Sequence, residues 1–432
     1  MPFFYGWWIV VASGSIVLFG GGTFFYSFSA LVGPLENEFG WKRALIAAGF
    51  STRTLVGGVF APVAGHLADR LGPRRMLTVG VLLVGAGFVL LSQVRSVWGF
   101  FAAVIVIAIG MSACGGPVTQ TAVARWFRKK VGRAMAMLSV GTGISGFMAV
   151  VTVTLIAAFG WRTALVILGV ILWGICIPMA LTVRDRPQDM GLLPDGERSS
   201  GSDGPPPGKG EAAAQAEGLA GLTAEREGEG LTVQQALRTR AFWLLAIAIS
   251  LLQMGSLGVI AHGIAFLEDE VGFSRQGAAL AAMGLPIASL PGRVIFGWLA
   301  DYVEKRWVLA TACFLQGLGI LAFANIYGLW QAAIFLMVFS PAWGGYIAVR
   351  PALQADYFGV RAFGAIQGLL YLMGTVGGII GPVFAGAVYD AGESYRPAFV
   401  VLGIIAMASA VGLVLLRRPW LRTAEVAGAS GA

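Results

Sequence analysis

The stretch Gly65-His-Leu-Ala-Asp-Arg-Leu-Gly-Pro-Arg-Arg75 decides the fold, because the chain contains a second copy of its pattern. That copy is Gly297-Trp-Leu-Ala-Asp-Tyr-Val-Glu-Lys-Arg306, which begins 232 residues later. The same offset relates Gly40-Trp-Lys-Arg43 to Gly272-Phe-Ser-Arg275. In each half the charged cluster lies between long apolar runs. The repeat therefore predicts two related halves, as in a duplicated membrane carrier, rather than an enzyme with one catalytic domain.

The composition excludes a soluble globular protein. The chain has 57% hydrophobic and only 12% charged residues, with a mean hydropathy of +0.78, whereas a soluble domain has about 25% charged residues. Apolar windows long enough to cross a bilayer predict an all-α membrane protein with twelve transmembrane helices in two six-helix halves. The predicted spans are, approximately, residues 6–33, 43–66, 74–93, 97–124, 132–157, 162–183, 240–266, 276–299, 306–325, 329–355, 363–388 and 395–416.

The chain divides into four predicted parts. A segment between the halves, rich in Ser, Gly, Pro and Glu, cannot bury a core and is expected to be a flexible cytoplasmic linker. Near its end, Thr232 followed by Gln235 predicts the start of a helix. The parts are an N-terminal six-helix half at 1–183, the linker at 184–238, a C-terminal six-helix half at 239–418 and a cytoplasmic tail at 419–432.

The charge distribution predicts the orientation. The formal net charge is +8, but the basic residues lie in short turns between spans, so we do not expect nucleic-acid binding. More of them lie on the side that contains the N-terminus, which predicts a multi-pass protein of the cytoplasmic (inner) membrane with both termini in the cytoplasm. The three cysteines lie in apolar spans without motif spacing. We therefore expect no disulfide and no metal role for them. We also expect a monomer in the lipid bilayer without a cofactor.

The repeated cluster has a physical use in a carrier. Gly65 permits close contact between helices, Asp69 is suited to capping or pairing with a neighbouring helix end, and the arginines are suited to bridging cytoplasmic ends. Such contacts hold one conformation shut. The alternative is that these charges only cap helices and take no part in gating. The predicted gating residues are Gly65, Asp69, Arg70, Arg74, Asp301 and Lys305.

The motifs also carry a family resemblance. With twelve spans and a mid-chain linker, Gly65-x-Leu-Ala-Asp-Arg-x-Gly-x-Arg-Arg75 resembles the signature of the major facilitator superfamily. Four further motifs resemble the monocarboxylate transporter and oxalate/formate antiporter group. They are Tyr5-Gly-Trp-Trp8, Phe39-Gly-Trp-Lys-Arg43, Arg125-Trp-Phe-Arg-Lys-Lys-x-Gly132 and Arg186-Pro-x-x-Met-Gly-Leu-x-Pro-Asp-Gly196. The resemblance implies a secondary transporter that works by alternating access.

Arg293 is the main candidate for substrate binding. It lies in predicted span eight, eight residues before Asp301, which is about 12 Å along a helix. A charge at this depth costs on the order of 2.5–3.5 kcal/mol on insertion scales, and no acidic residue is nearby in the sequence. A bound carboxylate is therefore the expected counter-charge, and Arg293 matches the span-eight arginine that contacts substrate carboxylate in the resembled group. The alternative is a structural arginine bonded to helix carbonyls across the two halves.

Other candidates lie in predicted spans. Arg53 lies deep in span two and does not belong to the repeat, so it is either a binding residue or a structural arginine. His262, in the outer half of span seven, is a possible proton carrier or a hydrogen-bonded structural histidine. Tyr346 and Tyr371 are candidates for lining the path, with ordinary packing as the alternative. Arg350 in span ten is expected to reach the cytoplasmic side.

Two departures from the resembled group bear on coupling and substrate. Ser289 occupies the position of an aspartate, which argues against proton coupling through that position. In the resembled oxalate exchanger a lysine in span eleven supplies a second cation, whereas span eleven of this chain contains no Lys or Arg. This difference disfavours a dicarboxylate, although Arg53 would be able to substitute for that lysine. The favoured substrate is a small monocarboxylate such as lactate or pyruvate, with protons or a counter-anion as possible coupling partners. A multidrug or neutral-solute exporter with structural arginines is the alternative, but the sequence lacks the intramembrane acid expected there. A non-transporting receptor would need a further signalling domain.

Overall fold

The helices of the computed structural model follow the apolar runs of the sequence. The structure describes residues 4–196 and 230–419, so part of the predicted linker and nearly all of the predicted tail lie outside it. The first half contains α1 (Gly6–Ile16), α2 (Gly22–Phe39), α3 (Arg43–Leu71), α4 (Pro73–Ser92), α5 (Val97–Cys114), α6 (Gly116–Trp126), α7 (Val131–Ile144) and α8 (Phe147–Thr182). The second half contains α9 (Val233–Leu237), α10 (Arg240–Ala265), α11 (Arg275–Leu299), α12 (Lys305–Ala324), α13 (Leu329–Phe358), α14 (Phe363–Gly392) and α15 (Arg396–Val414).

Several predicted spans consist of more than one helix. A π-helical turn at Val17–Gly21 joins α1 to α2, and Gly115 interrupts the span formed by α5 and α6. Helix α8 contains the end of predicted span five, which α7 begins, and predicted span six, because Gly160 between them has a left-handed φ of 75° that changes the direction of the chain. In the described part of the chain, nine helical stretches are long and apolar enough to cross a membrane, and one of them, Val131–Thr182, has 52 residues. Because Val131–Thr182 covers two predicted spans, these stretches account for ten, and α1 with α2 and α11 supply the other two. The predicted all-α fold with twelve spans is confirmed.

The boundary of the second span differs from the prediction. Helix α3 continues to Leu71, five residues beyond the predicted end, so Asp69 lies in the last helical turn rather than in a loop. The helix ends there because Gly72 adopts a φ of 88°, and Pro73 then begins α4. The end of α3 and the start of α4 are therefore closely spaced.

Two apolar cores correspond to the two halves. One is built from residues 9–183 together with Ala352 and Phe363, and the other from residues 231–416. Glycines permit close helix contact within each core. A Cβ atom on Gly80 of α4 would lie 2.6 Å from the backbone nitrogen of Cys114 on α5.

The segment predicted as linker is anchored at both of its described ends. The Trp126 indole donates a hydrogen bond to the Arg184 carbonyl at 3.1 Å. Asp195 accepts from the backbone N–H groups of residues 128–130, just before α7. At the other end, the Leu231 N–H donates to the Phe358 carbonyl at 2.8 Å. The predicted helix start at Thr232 is confirmed, since it forms a reciprocal capping box with Gln235.

Candidate functional site

The motif end, defined here as the end of the bundle that carries Asp69 and Asp301, joins the two halves. The Asp69 carboxylate accepts hydrogen bonds from the Gly364 N–H at 3.0 Å and the Ala365 N–H at 2.9 Å. These groups begin α14, so the carboxylate stabilises the positive end of a helix in the other half. Arg125 donates to the Asp69 carbonyl at 3.1 Å. A Cβ atom on Gly65 would overlap the Gly364 carbonyl, so this contact requires glycine.

Asp301 makes the equivalent contact in the opposite direction. Its carboxylate accepts from the Gly132 N–H at 2.8 Å and the Arg133 N–H at 3.3 Å, at the start of α7. The Arg133 guanidinium also donates to it at 2.8 Å. A Cβ atom on Gly132 would overlap the Gly297 carbonyl. Gly364 follows Gly132 by 232 residues, as Asp301 follows Asp69, so the repeat produces two matching contacts between the halves.

The other predicted gating residues make contacts within one half. The Arg70 side chain is exposed, and Arg74 donates its backbone N–H to Asp185 at 2.9 Å. The Lys305 ammonium donates to Asp356 at 2.8 Å. The structure therefore brings Gly65, Asp69 and Asp301 to the boundary between the halves, whereas these contacts of Arg74 and Lys305 do not cross it.

Arg293 lies at the boundary between α11 and α7. Its side chain is only 1% exposed. One guanidinium nitrogen donates to the Ser139 carbonyl of the other half at 2.5 Å, and Nε donates to the Ser289 hydroxyl at 3.2 Å. The guanidinium also lies 6.0 Å from the centre of the Trp343 ring. Two of its hydrogen bonds thus end on neutral oxygens, which are weaker acceptors than a carboxylate.

Three further candidates lie close to one another across the two halves. Arg53 on α3 is half-buried over the Phe50 ring, at 5.1 Å from its centre. It lies within electrostatic range of Tyr371 on α14, which is 43% exposed. Tyr371 in turn lies within electrostatic range of Tyr346 on α13. This group is connected to Arg293 through α13, because Trp343 precedes Tyr346 by about one turn.

His262 is not part of that group. It lies three residues before the end of α10, near the end of the bundle opposite the motif end. Its Nε2 lies 3.0 Å from the Pro382 carbonyl, and its ring centre lies 5.1 Å from that of Tyr395. Arg293, by contrast, lies six residues before the motif end of α11. Direct contact between His262 and Arg293 is therefore ruled out in this conformation.

The opposite end contains a duplicated ion pair that the sequence interpretation missed. Glu38 accepts from Arg162 and from the Trp161 indole, each at 2.7 Å, and these bonds hold the pKa of Glu38 below its usual range. Arg162 also donates to the carbonyls of residues 92 and 94 at the end of α4. Arg396 repeats this pattern, with Glu270 at 3.7 Å and the carbonyls of residues 324 and 326 at the end of α12. The signal was available, because Glu270 follows Glu38 by 232 residues.

Two other features do not form a site for an anion. An apolar cavity near the opposite end of the second half is lined by residues that include Val259, Leu285, Phe323 and Phe335. It offers no titratable side chain. Among the described residues, no group of three or more His, Cys, Asp or Glu side chains is arranged to hold a metal ion.

Comparisons with known proteins agree with this architecture. The family model described as "Major Facilitator Superfamily" matches residues 13–282 and 246–430. Monocarboxylate transporter 12 of Rattus norvegicus is 26% identical over 365 residues, which cover 81% of this chain and 73% of that protein. The uncharacterized MFS-type transporter YcxA of Bacillus subtilis is 23% identical over 94% of this chain and 93% of its own length. The fucose transporter FucP of E. coli, in its outward conformation, shares the fold with a TM-score of 0.69, at 16% identity over 97% of this chain and 99% of that structure.

Proposed function

Because this chain belongs to the major facilitator superfamily, we propose that it is a secondary active or facilitative transporter of a small organic anion. The substrate class that we favour is a monocarboxylate. The observation that carries the proposal is the position of Arg293, which is buried where the two halves meet and directs two of its hydrogen bonds to neutral oxygens. A carboxylate is the acceptor that best matches a guanidinium in both charge and geometry. The similarity to proteins named monocarboxylate transporters supports the same substrate class.

The proposed mechanism couples the anion to the contact between the halves. In the described conformation, Arg293 bridges α11 and α7 through the Ser139 carbonyl. A substrate carboxylate that approaches the guanidinium competes with that carbonyl and, being charged, is the stronger acceptor. The loss of this bridge weakens the motif end and favours alternating access, because a ligand shifts an equilibrium toward the state that it binds better.

The proposal also includes an orientation and roles for the remaining candidate residues. We place the motif end and both termini in the cytoplasm, in a cytoplasmic (inner) membrane, on the charge distribution of the turns. Arg53 and Tyr371 would contact an incoming anion on the side of Arg293 that faces away from the motif end. With Ser289 beside Arg293, the carrier is either an exchanger or uniporter, or is coupled to protons through His262.

A second candidate function is the export of a neutral solute or a drug. The hydrogen bonds of Arg293 to the Ser139 carbonyl and the Ser289 hydroxyl favour it, because they are also those of a structural arginine. In that case the guanidinium stabilises the packing of α11 on α7 and never contacts the substrate.

Uptake into proteoliposomes separates the two functions. The purified protein is given a panel of labelled monocarboxylates, dicarboxylates, sugars and cationic dyes, with imposed pH and counter-substrate gradients. We expect saturable uptake of monocarboxylates and competition only among organic acids. Transport of dyes or sugars that organic acids do not inhibit would support the second function and contradict the first.

A further inference from the structure

Arg350 of α13 has a position that the site described above does not explain. The sequence leads us to expect that its side chain reaches the cytoplasmic side. In the structure, the guanidinium instead lies over the ring of Tyr346, 5.6 Å from the ring centre. Tyr346 precedes Arg350 by one helical turn, so the side chain points back along α13, away from the motif end. The positive charge is therefore held inside the bundle.

The polar atoms of this pair are incompletely satisfied. Among the residues that the structure describes, neither Arg350 Nε nor the Tyr346 hydroxyl makes a hydrogen bond of good geometry, and both atoms are enclosed, with the Arg350 guanidinium as a neighbour of the hydroxyl. The acid nearest in sequence, Asp356, is bonded to Lys305 at 2.8 Å and to Arg418 at 3.4 Å. Enclosed donors without an acceptor are costly unless a ligand supplies one. A hydroxyl and a guanidinium together are suited to the two oxygens of a carboxylate.

The exposure pattern of α13 puts Arg350 on the same face as the Arg293 site. Trp343, Ile347 and Arg350 are partly exposed, whereas residues 344–346 and 348–349 between them are buried. Residues at this spacing share one face of a helix. Trp343 contacts Arg293, and Arg350 lies seven residues closer to the motif end, which is about 10 Å along the helix. An anion that moves along this face from Arg293 toward the motif end therefore meets Arg350 next.

We propose that Arg350 and Tyr346 form a second carboxylate-binding station, which the substrate occupies between Arg293 and the motif end. This inference rests on the proposed transport of an organic anion and assigns a further site on its path. In the described conformation, contacts between the halves lie between the station and the motif end. The station therefore acts when that end is open, and it affects binding from the motif-end side more than binding from the opposite side.

Transport kinetics measured separately from each side test the station. Labelled lactate is presented to right-side-out and to inside-out vesicles that contain the wild-type protein or a variant. Arg350→Gln is expected to raise KM at the motif-end side about tenfold, as expected for the loss of a charge-assisted hydrogen bond, with a change of less than about twofold at the opposite side. Tyr346→Phe removes only the hydroxyl and is expected to raise the same KM by a smaller factor. Arg75→Gln removes an exposed arginine at the motif end and is the matched control.

The outcomes are distinct. An equal rise in KM at both sides, or no change at either side in a variant that reaches the membrane, overturns the station. If Arg350→Gln does not fold, Tyr346→Phe decides by the same criterion. Failure of the proposed function gives a different result. If Arg293 does not bind the substrate, Arg293→Ala leaves KM unchanged at both sides.

Discussion

Asp69 and Asp301 each cap a helix that belongs to the other half of the chain. Asp69 accepts from the first N–H groups of α14, and Asp301 accepts from those of α7. Under the proposed alternating access, each carboxylate stabilises a contact that has to break when the motif end opens. Because both caps come from the repeated motif, the duplication itself produces two matching contacts between the halves.

Neutralising either cap is expected to open the motif end. Asp69→Asn and Asp301→Asn each weaken hydrogen bonds to a charged acceptor, which are worth about 1.5–3 kcal/mol, so the ratio of closed to open molecules should fall about tenfold or more. A single cysteine at Gln367, fully buried beside Gln120, should then be labelled faster from the motif-end side. Asp356→Asn is the control, since its ion pair with Lys305 lies within one half. Unchanged labelling in both folded variants would mean that the aspartates only cap helices.

The close helix contact at Gly65 is expected to be as sensitive to substitution as the two caps. Gly65→Ala places a methyl group against the Gly364 carbonyl and should prevent close approach of α3 and α14, which raises labelling at position 367. Gly57→Ala is the matched control on the same helix, because no atom lies within 4 Å of its Cβ position. Transport should fall strongly in the first variant and little in the second. Equal behaviour of the two would contradict a role for close packing at Gly65.

A variant of His262 tests the mode of coupling. An imidazole changes its charge in the physiological pH range, and Ser289 supplies no carboxylate beside Arg293. His262→Gln should leave the pH profile of an exchanger unchanged, but it should uncouple a symporter from an imposed pH gradient. Uptake of a labelled monocarboxylate with and without that gradient separates these cases. Proton-driven accumulation that persists in His262→Gln would defeat both and place the proton site elsewhere.

The ion pair at the opposite end predicts a pH-dependent stability. The pKa of Glu38 is lowered by its hydrogen bonds to Arg162 and Trp161. Its contribution to folding is therefore present above the unfolded-state value, about 4.3, and is lost as the pH falls through the folded-state pKa. Glu38→Gln should lower Tm at neutral pH, with a difference from wild type that shrinks in acid. Asp269→Asn, an exposed carboxylate at the same end, serves as the control. A difference in Tm that does not depend on pH would contradict this assignment.

The sequence predicts the helices well because span length and apolar composition are local properties. It also predicts that Asp69 pairs with a helix end, and the constant offset from Asp69 to Asp301 indicates a symmetric arrangement. It cannot identify the Ser139 carbonyl as a partner of Arg293, since every residue has such an oxygen and only packing brings one close. The ion pair between Glu38 and Arg162 joins positions 124 residues apart, so the sequence indicates it only through the 232-residue offset from Glu38 to Glu270.

Equilibrium binding to an Arg293 variant tests the central claim most directly. Isothermal titration of the purified protein with lactate or pyruvate gives Kd for wild type, Arg293→Lys, Arg293→Ala and the surface control Arg75→Ala. The proposed carboxylate contact predicts weak binding in Arg293→Lys, which keeps the charge but loses the fork geometry. It predicts no measurable binding in a folded Arg293→Ala protein, and normal binding in the control. Wild-type affinity in Arg293→Ala would show that the guanidinium holds the halves together without contacting the substrate.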